Sequence, residues 1–108
     1  MSTVVFVNRL QPAAGRRAEL IGLLREFAVS IHADPGCLHY SVHEPTDDED
    51  GILTVIQVYS SADGFQHHAE WMAPNVPRLG PLLATAPDPP VLLRSVPMGG
   101  DQKERFAS

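Results

Sequence analysis

"CLHYSVHEPTDDEDGILTVIQVYS", Cys37 to Ser60, decides the architecture of this chain. Cys37 to Glu44 alternate like a half-buried strand, with Leu38, Tyr40 and Val42 on one face and Cys37, His39, Ser41 and His43 on the other. "PTDDEDG", Pro45 to Gly51, is an acidic turn, and the β-branched run Ile52 to Ser60 is a second strand. The two strands should pair as an antiparallel hairpin.

Upstream, Leu20, Leu24, Phe27, Ala28 and Ile31 recur at helical spacing from Arg16 to about Ala33. "DPG" at Asp34 to Gly36 stops that helix, because proline disfavours helical geometry in the residue before it. Before the helix, "PAAG" is a turn and Thr3 to Gln11 a strand. Its faces, Val4, Phe6, Asn8, Leu10 and Val5, Val7, Arg9, are both mainly apolar, so both should be covered.

Downstream, Ser60 and Asp63 form a capping signal for a helix through "FQHHAEWM". Pro74 and Pro77 break or restart that helix, and Arg78 to Thr85 add short turns. "PDPP" is a rigid connector, Val91 to Val96 a last strand, and residues 97–108 a polar, loose tail.

The order is strand, helix, strand, strand, helix, strand: an α+β, ferredoxin-like split βαβ domain over residues 1–96, with an antiparallel sheet and two helices on one face. Its other face is too apolar for water, and the chain has no residues left to cover it. A homodimer, in which two sheets pack into a dimeric α+β barrel, is therefore expected.

At 108 residues, 44% apolar and 19% charged, the chain suits one globular domain with one core. A net charge of −5 and the lack of a Lys/Arg cluster argue against nucleic-acid or anionic-membrane partners. The start has no basic leader and only a short apolar run, so neither a signal peptide nor a membrane span is expected. The single cysteine, Cys37, suits a reducing cytoplasm and reads as a small core residue.

The chain resembles the antibiotic biosynthesis monooxygenase domain of the dimeric α+β barrel superfamily. "FVNRL", "PAAGRRAEL", "DPGCLHYSVH" and "VIQVYSSADGFQHH" occur in the family's order and spacing. The resemblance places Asn8 at a strand asparagine that touches ligand in some members, and His68 on a helix histidine common in the family. Gln57 and Tyr59 stand where glutamate and tryptophan are usual, and Asn75 where a second histidine is usual. It implies oxidation of electron-rich aromatics (phenols, hydroquinones or polyketide anthrones) by O2 without cofactor. Heme-degrading relatives use an axial histidine further along, near Arg78 here, so heme ligation is not supported.

Such chemistry needs a base for the substrate proton and groups that hold the oxyanion. His68 titrates near neutrality and shares a helical stripe with Phe65, Ala69 and Met72 facing the sheet; its plainer reading is a half-buried histidine bonded to a backbone carbonyl. Asn8 can donate to a substrate oxygen or simply pair with a neighbouring side chain. Tyr59, Phe65, Trp71, Met72 and Asn75 are candidate pocket residues; Trp71 and Met72 read equally as core, and Tyr59 as an aromatic strand end.

No metal is expected. His67 and His68 point about 100° apart on a helix, and His67 falls on the exposed side with Glu70. His39 and His43 are about 13 Å apart along an extended strand, too far for one ion.

Overall fold

Where the alternating segments fall, strands form: the computed structural model describes residues 3–98 and contains β1 (Val4–Leu10), β2 (Cys37–His43), β3 (Leu53–Tyr59) and β4 (Val91–Arg94). Two main helices, α1 (Arg17–Ala33) and α2 (Ala62–Met72), separate them in the split βαβ order. A 3₁₀ turn at Ala73–Asn75, the short α3 (Val76–Leu79) and a second 3₁₀ turn at Gly80–Leu82 follow α2. The tail expected at 97–108 lies, from residue 99 onward, outside the described residues.

The sheet is antiparallel throughout, in the order β2-β3-β1-β4. Its pairings, Phe6 with Gln57, Asn8 with Val55 and Tyr40 with Gln57, put these residues on the helix-facing side. The core forms there, between Leu10, Leu53 and Val55 of the sheet and Leu20, Leu23, Leu24, Phe27 and Ile31 of α1. Each such side chain contributes about 1.5–3 kcal/mol on leaving water.

Local chemistry sets the element ends. Asp34 is extended at ψ 117, as a residue before proline should be, and closes α1 with its N–H on the Ile31 carbonyl. The Pro-x-x-Gly turn ahead of α1 depends on Gly15, whose φ of 74 lies in the left-handed region. Ser61 rather than Ser60 caps α2: its Oγ accepts from the Gly64 N–H at 3.1 Å. Ser60 is held at the strand end by its own N–H on the Gly36 carbonyl, 2.9 Å away.

The strict alternation expected for β2 is broken by a bulge. Cys37 pairs with Tyr59 and His39 with Val58, leaving Leu38 as the extra residue. The bulge resets the faces: Leu38 turns out to solvent, 57% exposed, and Cys37 joins Tyr40 against the core. Leu53 and Val55 likewise face the helices, so the far face takes its apolar character from Val5, Val7 and Ile56, continued on β4 by Val91 and Leu93. His39, Ser41 and His43 share that face at the β2 edge.

Candidate active site

Helix α2 crosses the sheet so that His68 sits on its inner side. The ring is only 6% exposed and lies in an aromatic cage: Tyr59 at 5.1 Å between centroids, Trp71 at 6.0 Å, Phe6 at 6.3 Å and Phe65 at 6.4 Å. Of the pocket residues expected from sequence, Tyr59, Phe65 and Trp71 thus meet around His68. Phe6, one strand over, completes the cage by packing on Phe65 at 5.5 Å.

No hydrogen bond among the described residues uses the His68 ring nitrogens, so the backbone-bonded reading does not hold there. The ring instead borders a cavity of about 380 Å³ between the C-terminal end of α1 and α2, which Ile31, Asp34, His67 and Trp71 also line. Burial pushes the imidazole below its ordinary pKa; Asp34 opposes this by favouring the cation, and His67 adds to it. His68 is therefore neutral at pH 7, the form that accepts a proton.

His67 is less isolated than its position on the outer side of the helix suggests. Its Nδ1 stands 3.6 Å from Asp34 Oδ2, while Glu70 turns to Gln66. Asp34 Oδ1 accepts from the Gly36 N–H at 2.8 Å, which fixes the carboxylate at the cavity rim. Asp34 was legible only as a helix stop; its second role exists because α2 passes over the bend after α1.

The other candidates occupy distinct places. Asn8 lies on the helix-facing side of β1, one pleat from Phe6, and its Oδ1 is buried without a hydrogen-bond partner among the described residues. A buried acceptor left unpaired costs about 1–3 kcal/mol, so this oxygen stands ready for a donor. Tyr59 is fully buried and donates its hydroxyl to Gln57 Oε1 at 2.6 Å; burial raises its pKa far above the usual phenol value. Met72 packs against the core. Asn75 donates its amide to the Trp71 carbonyl at 3.0 Å, closing the end of α2. Arg78 pairs with Glu26 and lies over the Phe27 ring at 5.5 Å.

On the far face, two histidine side chains lean along β2 toward the serine between them. His39 Nε2 and His43 Nε2 both lean onto Ser41 Oγ, at 2.8 and 2.7 Å. Among the described residues, no group of three or more His, Cys, Asp or Glu stands together as a metal site. No described helix is long and apolar enough to cross a membrane.

Residues 3–70 match the family described as antibiotic biosynthesis monooxygenase. Among solved structures, Rv0793 of Mycobacterium tuberculosis is similar at 23% identity and TM-score 0.79, covering 92% of this chain and 100% of its own. A Caulobacter crescentus protein provisionally assigned as an antibiotic biosynthesis monooxygenase is 26% identical, with TM-score 0.79 and coverage of 89% and 92%. A variant of SnoaB, a cofactor-independent oxygenase from Streptomyces nogalater, shares the fold at 19% identity and TM-score 0.77, covering 94% of this chain and all of its own. Among curated proteins none matches the chain in sequence.

Proposed function

The chain belongs to the antibiotic biosynthesis monooxygenase family, and on that premise we propose that it is a cofactor-independent monooxygenase of electron-rich aromatics, a phenol, hydroquinone or anthrone-type polyketide. The observation that carries this reading is His68: a neutral, buried imidazole with no hydrogen bond among the described residues, caged by aromatic rings and bordering a cavity. The cavity's 380 Å³ is within the range of small-molecule sites.

In this scheme His68 removes the acidic proton of the bound substrate, and the resulting anion passes one electron to O2. Recombination of the radical pair forms a carbon–oxygen bond, and the imidazolium returns its proton to the peroxide. Loss of water leaves a carbonyl. One oxygen atom enters the product and the other leaves as water; the substrate supplies all four electrons, so no external reductant is required. Trp71 and Phe65 serve as flat walls that exclude water from the anion. Asn8 positions a substrate oxygen through its amide, and Tyr59, tied to Gln57, holds the inner wall of the cage.

We place the protein in the cytoplasm as a homodimer, its partners being the aromatic substrate and O2. The apolar face of Val5, Val7 and Ile56 supports self-association. A second reading, a non-catalytic dimer that binds a small ligand, is favoured by the Tyr59 hydroxyl being spent on Gln57. A heme-binding role is disfavoured because Arg78 is engaged by Glu26 and Phe27.

The test is O2 uptake by colourless, chelator-treated protein supplied with an anthrone or a hydroquinone. Turnover with one O2 per product, reduced about a hundredfold or more in His68→Ala, is expected. Unchanged rates in that variant would remove His68 as the base. Tight substrate binding without O2 uptake favours the non-catalytic reading, and a Soret shift on hemin titration favours the heme reading.

A further inference from the structure

We propose, resting on the oxygenase reading of the His68 cavity, that Asp34 determines its specificity: it selects a neutral aromatic with a second hydroxyl group and rejects aromatic acids. Among the substrates considered above, hydroquinones and polyhydroxylated anthrones meet that requirement and simple phenols do not. The cavity lies on the helix side of the sheet, between the end of α1 and α2, away from the face that self-association would cover. Its polar lining is Ser30, Asp34, His67 and His68, and its apolar walls include Ile31 and Trp71. No lysine or arginine lines it among the described residues.

Asp34 is held through its backbone and its side chain. Its N–H donates to the Ile31 carbonyl at 3.1 Å, and its own carbonyl accepts from the Cys37 N–H at 3.0 Å. Oδ1 accepts from the Gly36 N–H at 2.8 Å, and the following proline keeps the Asp34 backbone extended. The side chain is only 19% exposed, so the carboxylate is part of the cavity wall and not a solvated surface charge. Oδ2 faces His67 Nδ1 at 3.6 Å, beyond ordinary hydrogen-bond length, and no hydrogen bond among the described residues uses it. The His67 ring is mostly exposed and free to swing into water, which leaves Oδ2 open to a ligand donor.

Two acceptors therefore border one cavity, the His68 imidazole and Asp34 Oδ2. One hydroxyl of the substrate gives its proton to the imidazole. A second hydroxyl, donating to Oδ2, makes a charge-assisted bond to a carboxylate that is already in place. An aromatic acid placed there meets a like charge instead. Its carboxylate loses water on entering the cavity and finds no arginine or lysine to replace it, while His67 is already turned to Asp34. A phenol without the second hydroxyl avoids the repulsion but leaves Oδ2 unpaired beside its ring, which costs it affinity against the diol.

The experiment is anaerobic titration calorimetry of the full chain at pH 7.5 with 1,5-dihydroxynaphthalene, 1-naphthol and 5-hydroxy-1-naphthoate. The three share one ring system and one hydroxyl, and carry a hydroxyl, a hydrogen or a carboxylate at the other position. The diol should bind about tenfold or more tighter than 1-naphthol, and the acid about tenfold or more weaker. Asp34→Asn keeps an acceptor for the Gly36 N–H and removes the charge, so the acid should gain about tenfold or more while the diol loses affinity. Asp34→Glu, which restores the charge, should restore the rejection of the acid. Equal affinities for the three ligands, no binding by any of them, or an unchanged ranking in Asp34→Asn would overturn the assignment. O2 uptake, measured separately in air, tells the two readings apart. Turnover of the diol and the acid at equal rates, unchanged in Asp34→Asn, overturns the role of Asp34 and leaves the oxygenase standing. The expected ranking without O2 uptake supports Asp34 and removes the oxygenase.

Discussion

Replacing Tyr59 by phenylalanine removes one oxygen atom from the inner wall of the site. The ring that packs on His68 at 5.1 Å stays, so the change isolates one hydrogen bond. Tyr59 is fully buried and its hydroxyl donates to Gln57 Oε1 at 2.6 Å; Gln57 is itself only 5% exposed, so water cannot readily take over. Losing a bond of this kind costs about 1–3 kcal/mol, most of it the cost of a buried acceptor left unpaired. For a domain near 100 residues each kcal/mol is about 4–8 °C in Tm, so a loss of about 2 kcal/mol lowers Tm by about 8–16 °C. The assay is urea or thermal unfolding at one fixed protein concentration, which keeps the proposed self-association from entering the comparison. Pairing Tyr59→Phe with Gln57→Leu removes both polar partners at once. The double variant should then recover most of the loss, giving a coupling of about 1 kcal/mol or more. A Tyr59→Phe loss below about 0.5 kcal/mol, or strictly additive single changes, would refute the reasoning.

Three further outcomes are expected. The folded-state pKa of His68 lies below 6.5, so below that pH the unfolded chain binds more protons and stability falls as pH drops through the window. His68→Gln should flatten this dependence in pH-resolved unfolding, and the acid limb of parent kcat/KM should lie below pH 6.5. Ile56→Asp places a charge in the apolar far face opposite Val7; light scattering should show the parent at twice the mass of one chain and the variant at one. Gly15→Ala meets no atom within 4 Å but forces a side chain into φ 74, and should cost about 1 kcal/mol by urea unfolding with little effect on turnover.

Much of the fold was legible because apolar periodicity is a local property. The alternation in β1 and β3, the helical repeat through Leu20, Leu24, Phe27 and Ile31, and the Pro35 stop placed the elements within a residue or two. The faces of β2 were not legible, since the Leu38 bulge arises from pairing with β3 and from no feature of β2 alone. The choice of Ser61 over Ser60 as cap likewise turned on a long-range bond from Ser60 to Gly36.

The site divides along the same line. Sequence singled out His68 over His67, because helical geometry sets the direction of each side chain. It could not show that Phe6 and Tyr59 from two strands meet around that ring, nor that Asp34 faces His67 across the cavity rim. It also gave the backbone spacing of His39 and His43 but not the lean of both rings onto Ser41, which side-chain torsions set. Periodicity and turn chemistry act over a few residues, and so the sequence by itself determined which segments fold and which face of each is apolar. Which side chains share a cavity is decided by packing between segments that are distant in the chain, the end of α1 and α2 here, and only the tertiary structure holds that.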